Sequence, residues 1–291
     1  AGLGDSTDDA EVWSWNGSAW TKIGGDGVNS SWPASTYEGV YAIGTDGTNI
    51  YAGLGSGNGD GEVWRWNGSS WTKIGGDGVN NSWPTNNGDV VNILPNSGTT
   101  VYAGVYDTAG GGYMYSWNGS SWTVLGGQYI NNSWGYYGQA SVEVMQVAGE
   151  HLYAGIGLAA GSAQVWQMGS NNNWKIVGGQ GINNSWDANN YERVSSMSSH
   201  KGKLYVGLGT TAGDAEVWSF DGSTWTQIGG DNLNGGWDGV NYEEVNALAS
   251  YGGNLYAGLG NSNNDAEVWR WDGTSWTKIG GDSLHGGWTS N

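Results

Sequence analysis

Hydrophobic and polar positions alternate in short runs along this chain, and the same order of runs returns at a nearly constant interval. In the last repeat, residues 242–250 predict a first strand (strand A), 251–253 a tight turn and 254–260 a second strand (strand B). A polar segment then leads to strand C, 266–271, and strand D, 275–279. An Asn-Gly or Asp-Gly pair separates strands C and D in five of the six repeats, which is typical of a β-hairpin.

The repeat interval predicts the fold. The tryptophan that opens strand D recurs at spacings of 51 or 52 residues, at Trp20, Trp71, Trp122, Trp174, Trp225 and Trp276. Four antiparallel strands in about 50 residues are the size of a propeller blade. We therefore predict an all-β protein in which residues 1–291 form one domain, a six-bladed β-propeller with four-stranded antiparallel blades.

One strand is missing from this count. Strands B, C and D occur six times, whereas strand A occurs five times, near Val40, Val91, Val144, Val194 and Val245. The first blade is therefore predicted to lack its own innermost strand. Because an open strand edge leaves backbone N–H and C=O groups unpaired, we expect that edge to be solvated or to be filled by this chain or by another chain.

The repeat also resembles a known family. The repeat runs from strand A through a glycine-containing turn to the pattern E-V-[WY]-x-[WF]-[ND]-G-x-x-W, which is similar to the kelch repeat. The third and fourth repeats have this pattern in drifted form, around Tyr115 and Trp166. Tyr256-Ala257-Gly258-Leu259-Gly260 stands where kelch blades read Y-V-I-G-G, and Trp271-Asp272 stands where they have a Tyr-Asp pair. The resemblance covers nearly the whole chain and implies a kelch-like propeller.

Composition changes this picture in two ways. With 21 Trp and 16 Tyr but no Cys, the chain must form its core from aromatic rings and cannot use disulfides or thiolate metal sites. The 27 acidic and 9 basic residues give a net charge of −18, which argues against a nucleic-acid partner. No run approaches the roughly 18 apolar residues of a membrane helix, so we predict no membrane insertion.

The first candidate site is the polar loop after strand D. An aromatic face beside fixed amides suits a sugar, whose C–H face stacks on a ring while its hydroxyls need donors and acceptors. The candidate glycan-binding residues are Asn29, Trp32, Asn80, Trp83, Asn131, Trp134, Asn183, Trp186, Asn234 and Trp237. In the alternative interpretation, each Trp packs between adjacent blades and each Asn bonds the loop backbone. The sequence leaves both interpretations open.

The second candidate site is a set of carboxylates at the start of strand A. These residues are Glu38, Asp89, Glu192 and Glu243. A propeller would place them around one mouth of its central channel, where converging carboxylates favour Ca²⁺. Alternatively, they are solvated strand ends that accept backbone N–H bonds. Apart from this calcium ion, we predict no cofactor.

Catalytic motifs are absent from the sequence. The three histidines lie in different repeats, and no G-x-S-x-G, H-E-x-x-H or P-loop spacing occurs. We predict a non-enzymatic, multivalent binding module, lectin-like or adhesive, in the extracellular space or at the cell surface, with glycans or cell-surface polymers as partners. Two alternatives remain: a structural subunit of a surface filament, fibre or larger multidomain protein, and a hydrolase or lyase that uses the channel mouth.

Overall fold

The structure is a computed structural model of the 291-residue chain. It describes residues 1–4, 9–33, 37–55, 61–84, 90–95, 100–107, 111–135, 141–157, 159–187, 191–211, 213–230, 232–237, 242–260, 266–281 and 284–288. Within these ranges the regular structure consists of β-strands and short 3-10 turns of three residues. None of the helical segments among them has the length or apolar character needed to cross a membrane.

The strands are numbered β1 to β23 in chain order. They span Gly2–Leu3, Glu11–Trp15, Trp20–Gly24, Gly39–Thr45, Ile50–Gly55, Glu62–Trp66, Trp71–Gly75, Val90–Pro95, Val101–Asp107, Gly111–Trp117, Trp122–Gly126, Ser141–Ala148, His151–Gly157, Gln164–Met168, Trp174–Gly178, Val194–His200, Lys203–Leu208, Glu216–Phe220, Trp225–Gly229, Val245–Tyr251, Asn254–Leu259, Glu267–Trp271 and Trp276–Gly280. Short 3-10 turns follow each strand D, at Val28–Ser30, Val79–Asn81, Ile130–Asn132, Ile182–Asn184, Leu233–Gly235 and Leu284–Gly286.

These strands form six antiparallel sheets, so the fold is the six-bladed β-propeller that the repeat predicts. Blade one has the order β1-β2-β3, and the other five blades have four consecutive strands each, beginning at β4, β8, β12, β16 and β20. The three strands of blade one are B, C and D. Among the residues that the structure describes, blade one therefore has no strand A, as predicted.

The chain divides into two compact units, Ala1–Val142 and Glu143–Asn291. The core of the first unit contains Leu54 and Val63, and that of the second contains Val217 and Leu255, all fully or almost fully buried. Aromatic rings complete each core between the blades, as the composition predicts.

Neighbouring blades of a unit approach closely at a glycine of strand B. A Cβ atom on Gly207 of blade five would lie 2.7 Å from the Cβ of Val245, in strand A of blade six. The same relation holds in the first unit, where a Cβ on Gly2 would lie 2.7 Å from a methyl group of Val40. The glycine therefore allows the valine of the next blade to pack directly on the strand backbone.

The first tryptophan of strand D links blades two, three, five and six to the blade before them. The indole N–H of Trp71 donates to the Ile23 carbonyl at 2.7 Å, and that of Trp225 donates to the Val177 carbonyl at 2.7 Å. Trp122 and Trp276 make the same bond at 2.7 and 2.8 Å. In blade one the equivalent Trp20 is 54 % exposed.

The predicted bounds of strand A need one correction. In blade six the strand spans Val245–Tyr251 rather than 242–250. The Tyr242 carbonyl accepts the amides of Gly213 and Ala215, so the segment before the strand anchors the loop of blade five and does not pair with β21. A bulge between Val245 and Ala247 then sets the register of the strand.

Candidate functional site

The polar loop after strand D is closed by its own hydrogen bonds. In blade one, Asn29 has a left-handed φ of 53°, and its side-chain amide donates to the Ile23 carbonyl at 3.1 Å. The indole N–H of Trp32 donates to the Ala10 carbonyl at 2.7 Å. These bonds satisfy backbone groups that strand pairing leaves unused.

The four following blades repeat this arrangement. Each loop asparagine has a left-handed φ of 53–56°, and its side-chain amide donates to a strand D carbonyl at 2.9–3.1 Å. These asparagines are Asn80, Asn131, Asn183 and Asn234. The indole N–H of each loop tryptophan donates to a backbone carbonyl near the start of strand C, at 2.6–2.9 Å. These tryptophans are Trp83, Trp134, Trp186 and Trp237. The asparagines are exposed, whereas the tryptophans, including Trp32, are only 1–3 % exposed.

Within each unit, aromatic side chains of the next blade cover the loop tryptophans Trp32, Trp83, Trp186 and Trp237. Trp32 lies edge-to-face against Trp64 and Trp71, with centroid distances of 5.7 and 5.3 Å. In the second unit, Trp237 packs in the same way against Trp269 and Trp276, at 5.8 and 5.3 Å. This arrangement corresponds to the alternative interpretation of the loops, in which each Trp packs between adjacent blades. A ligand that approaches the loops meets the asparagines and not a ring face.

The carboxylate residues at the start of strand A have a backbone role. A Cβ on Gly157 would collide with the Glu192 carbonyl, and one on Gly209 would collide with the Glu243 carbonyl. The Glu38 carbonyl lies in the same way against Gly4. Asp89 lies outside the described residues. Across the described ranges, no three His, Asp or Glu side chains lie close enough to hold a metal ion, and the calcium site stays a prediction.

An arginine lies among the carboxylates of the second unit. The Arg193 guanidinium makes two bonds to Glu244, Nε to Oε1 at 2.7 Å and Nη2 to Oε2 at 2.9 Å, and Glu244 is 1 % exposed. Glu143 lies 4.0 Å from the same guanidinium. The hydrogen bonds to Glu244 raise the pKa of Arg193, although burial opposes them. The negative charge at this strand end is therefore partly neutralised by a paired cation.

A cleft of about 300 Å³ lies between blades five and six, next to the turn that joins strands A and B of blade five. We call it the blade-five cleft. Its lining residues are His200, Lys201, Lys203, Tyr205, Ser219, Thr226, Ile228, Trp271 and Gly273. This volume is at the lower end of the range of small-ligand sites, about 300–1,000 Å³.

A small side chain opens the blade-five cleft. Ser219 pairs across the sheet with Tyr205, as Ser116 pairs with Tyr102 in blade three, whereas the equivalent partners in blades two and six are arginines. In blade four the equivalent residue is Gln167, which is 6 % exposed and whose amide lies 3.2 Å from the Tyr153 hydroxyl. Since serine is shorter than glutamine or arginine, the space over Tyr205 stays open.

The base of the cleft is polar and neutral. His200 is 4 % exposed; its Nδ1 lies 2.8 Å from the Ser250 hydroxyl, whereas its Nε2 is buried without a partner among the described residues. Burial, and then the charge of Lys201, lowers the pKa of His200, so the imidazole is neutral at pH 7. Burial raises the pKa of Tyr205, whose ring centroid lies 5.8 Å from that of His200.

The rim of the cleft is cationic. Lys22, Lys73 and Lys278 each contact a strand C glutamate, but no such ion pair involves Lys201 or Lys203 within the part of the chain that the structure describes. Lys201 has a left-handed φ of 47°. Such a conformation costs a residue other than glycine about 1–2 kcal/mol.

A carboxylate on which the charge of Lys203 acts belongs to a turn. Asp221 accepts the backbone N–H groups of Ser223 and Thr224, each at 2.9 Å. These bonds and that from the Ser223 hydroxyl lower the pKa of Asp221 to about 2. The charge of Asp221 therefore serves the hairpin between strands C and D. In blade six, Asp272 accepts the N–H groups of Thr274 and Ser275 in the same way.

The blade-five cleft was not predicted from the sequence. A signal was present, since Lys201 and Lys203 are the only two of the nine cations that lie within three positions of each other. The absence of a bulky residue at Ser219 could also be read by aligning the repeats. Neither feature belongs to the repeated pattern on which the predicted site was based.

Comparisons with known proteins support the architecture. No family model matches the sequence, and the search of curated proteins gives no match. Among solved structures, the SapL1 lectin in complex with alpha methyl fucoside has a TM-score of 0.55 and 13 % identity, over 94 % of this chain and 88 % of that chain. The RRP9 WD40 repeats have a TM-score of 0.53 and 15 % identity, over 88 % and 68 %.

A third similar structure is an extracellular domain. It belongs to a protein described as a hybrid two component system from B. thetaiotaomicron, with a TM-score of 0.55 and 11 % identity. The match covers 90 % of this chain, which spans only 31 % of that domain. At identities of 11–15 % these likenesses show the propeller fold alone, and the kelch resemblance stays a prediction.

Proposed function

We propose that this chain is a non-enzymatic, extracellular binding module of the kelch-like and lectin-like kind, whose ligands are glycans. The observation that carries the proposal is the blade-five cleft. It combines the rings of Tyr205 and Trp271 with the hydroxyls of Ser219 and Thr226. A sugar needs both an apolar wall and paired donors and acceptors. The SapL1 lectin binds alpha methyl fucoside on a similar propeller.

The composition of the cleft supports binding rather than hydrolysis. Glycoside hydrolases usually require two carboxyl groups that flank the scissile bond. None of the described lining residues is Asp or Glu. The cleft therefore has groups that can hold a sugar but lacks the usual acid and nucleophile.

The test is a glycan array probed with the wild-type chain and with Ser219→Gln. Because glutamine occupies the equivalent position in blade four, the variant is expected to fold and to fill the cleft. We expect wild-type binding to be lost in the variant, while circular dichroism and thermal unfolding stay unchanged. Wild-type binding to no glycan, or full binding by a folded variant, would contradict the proposal.

The exposed loop asparagines are a second, repeated set of candidate contacts. A variant with glycine at Asn29, Asn80, Asn131, Asn183 and Asn234 keeps a residue that accepts left-handed φ but removes the side-chain amides. If binding to glycan-coated surfaces falls while binding of a single soluble oligosaccharide is unchanged, the loops contribute avidity. Equal surface binding by variant and wild type would exclude them.

One observation favours the structural alternative, a subunit of a filament or fibre. Trp15 and Trp20 of blade one are 51 % and 54 % exposed and lie 5.5 Å apart. Of their equivalents in blade two, Trp71 is buried in the core and Trp66 packs against it. Sedimentation of wild type and Trp20→Thr over a range of concentrations tests this alternative. Self-association that the substitution abolishes would support it, and a wild-type monomer at every concentration would exclude it.

A further inference from the structure

The charge of the blade-five cleft is opposite to that of the chain. The net charge is −18, yet two of the nine cations stand at the rim of one cleft whose lining contains no acidic residue among those described. The strand D lysines Lys22 and Lys73, in contrast, form ion pairs with glutamates of strand C. Lys201 and Lys203 are thus in a position to bind an anion from outside the chain.

The backbone at the rim is unusual for the residue that it carries. Lys201 has a φ of 47°, and the equivalent turn positions in blades four and six are Gly149 and Gly252, with φ of 59° and 56°. In those blades the turn uses the residue that accepts this conformation without strain. Blade five places a lysine there, so a cationic side chain is held at the cleft against local backbone preference.

The base of the cleft holds a polar atom that needs a partner. His200 is more than nine-tenths buried, and its Nε2 has no hydrogen-bond partner among the described residues. A buried polar atom without a partner is unfavourable. Because Nε2 is itself buried, a ligand hydroxyl bonds to it once the side chains around it shift slightly. The cleft therefore combines a cationic rim with a neutral, hydrogen-bonding base.

We propose that the blade-five cleft binds a sugar residue that carries one carboxylate or sulfate group, with Lys201 and Lys203 on the anion and His200 on a hydroxyl. This inference rests on the proposed function and names its ligand class. Charge-assisted bonds from lysine are stronger than neutral ones. A long polyanion is disfavoured, because its remaining charges would face a chain of net charge −18.

The experiment is calorimetric titration of the whole chain with short oligosaccharides of one length: neutral, uronic-acid-containing and sulfated. The key variant is Lys201→Gly with Lys203→Asn, which installs the residues that blade six has at Gly252 and Asn254. The matched control is Lys175→Thr, which removes an exposed lysine outside the cleft and installs the residue that the other five blades have there.

We expect the wild-type chain to bind one of the two anionic sugars roughly tenfold or more tightly than the neutral one. The double variant should lose that preference, and the control should keep it. The arm that binds more tightly distinguishes the carboxylate from the sulfate. Retention of thermal stability by the double variant would show that the loss is not a loss of folding.

Other outcomes overturn the inference in distinguishable ways. Equal affinity for neutral and anionic sugars would overturn it and leave the proposed function standing. Binding to none of the sugars would overturn both. The inference would also be wrong if inorganic sulfate bound as tightly as the sulfated sugar, because the site would then recognise the anion alone. It would be wrong as well if a long anionic polysaccharide or a nucleic acid bound more tightly than the short sugars.

Discussion

The turns between strands A and B in blades two and five occupy the same place in the repeat and differ in chemistry. In blade two, Asp46 accepts the N–H groups of Thr48 and Asn49 at 2.8 and 2.7 Å and the Tyr51 hydroxyl at 2.8 Å. Burial and this carboxylate raise the pKa of Tyr51 to about 12. The turn is closed on itself, with its tyrosine bonded to its own aspartate.

In blade five the same turn is open. His200 stands in place of the aspartate, two lysines flank the turn glycine, and Tyr205 lines a cleft. The loop tryptophans and strand D tryptophans of both blades, in contrast, make the same bonds. The comparison shows that positions shared by the blades hold the blades together, whereas positions that differ change the surface that a blade presents.

The largest effect is expected where a shared position is removed. Trp225→Ala deletes a 2 % exposed ring and its bond to the Val177 carbonyl, and should lower the free energy of unfolding by about 3–5 kcal/mol. Trp20→Ala removes the same repeat position where it is 54 % exposed, and should cost under about 1 kcal/mol. Urea unfolding measures both. Equal losses would break the distinction between the two environments.

Two equivalent glycines, Gly207 and Gly258, differ in the space around them, and an added methyl group tests that difference. Gly207→Ala places a Cβ against the Val245 side chain and the Ser196 hydroxyl, and should destabilise the chain by about 1–3 kcal/mol. Gly258→Ala, at the equivalent position of blade six, meets only the Ala247 methyl group at 3.5 Å. Thermal unfolding should show a clear decrease for the first variant and little change for the second.

A smaller effect of opposite sign is expected at the blade-five turn. Lys201→Gly removes a left-handed lysine, and should raise the free energy of unfolding by up to about 1 kcal/mol, because the gain is reduced by the greater chain entropy of glycine. The same substitution should weaken binding of an anionic sugar. A variant that is less stable than the wild type would show that Lys201 makes a stabilising contact.

The smallest effect concerns pH and the closed turn of blade two. Although burial opposes it, hydrogen bonding to Asn49, Thr48 and Tyr51 holds the pKa of Asp46 well below its usual range. A carboxylate whose folded pKa is lower than its unfolded pKa stabilises the fold above the unfolded value and loses that contribution as pH falls. Asp46→Asn should therefore flatten the decrease in stability between about pH 5 and pH 2. An unchanged slope would contradict this role.

The fold could be predicted because the tryptophans and turn residues recur at a constant spacing that corresponds to one blade. The five copies of strand A and the blade without one follow from the same count. The role of Trp32 could not be predicted in the same way. Whether its ring faces a sugar or a neighbouring blade depends on the Ala10 carbonyl and on Trp64, which are distant in sequence.

The blade-five cleft escaped prediction for a related reason. Its opening depends on Ser219, a small residue opposite Tyr205, and the closing wall comes from Trp271 of the next blade. Because serine also occupies this position in blades one and three, Ser219 alone does not distinguish blade five in the sequence. The acidic start of strand A shows the reverse case, since the sequence suggests converging carboxylates but does not show that Arg193 bonds to Glu244 there.

The crossed tryptophans between blades also have an optical consequence. The indole pairs that the loop tryptophans form with the next blade have centroids 5.2–5.9 Å apart and ring planes inclined by 63–72°. Chromophores that are close and steeply crossed couple their electronic transitions and produce paired bands of opposite sign in circular dichroism. Each boundary between blades within a unit therefore carries its own exciton signal. Its loss on heating would report the separation of blades even while the hairpins within each blade persist.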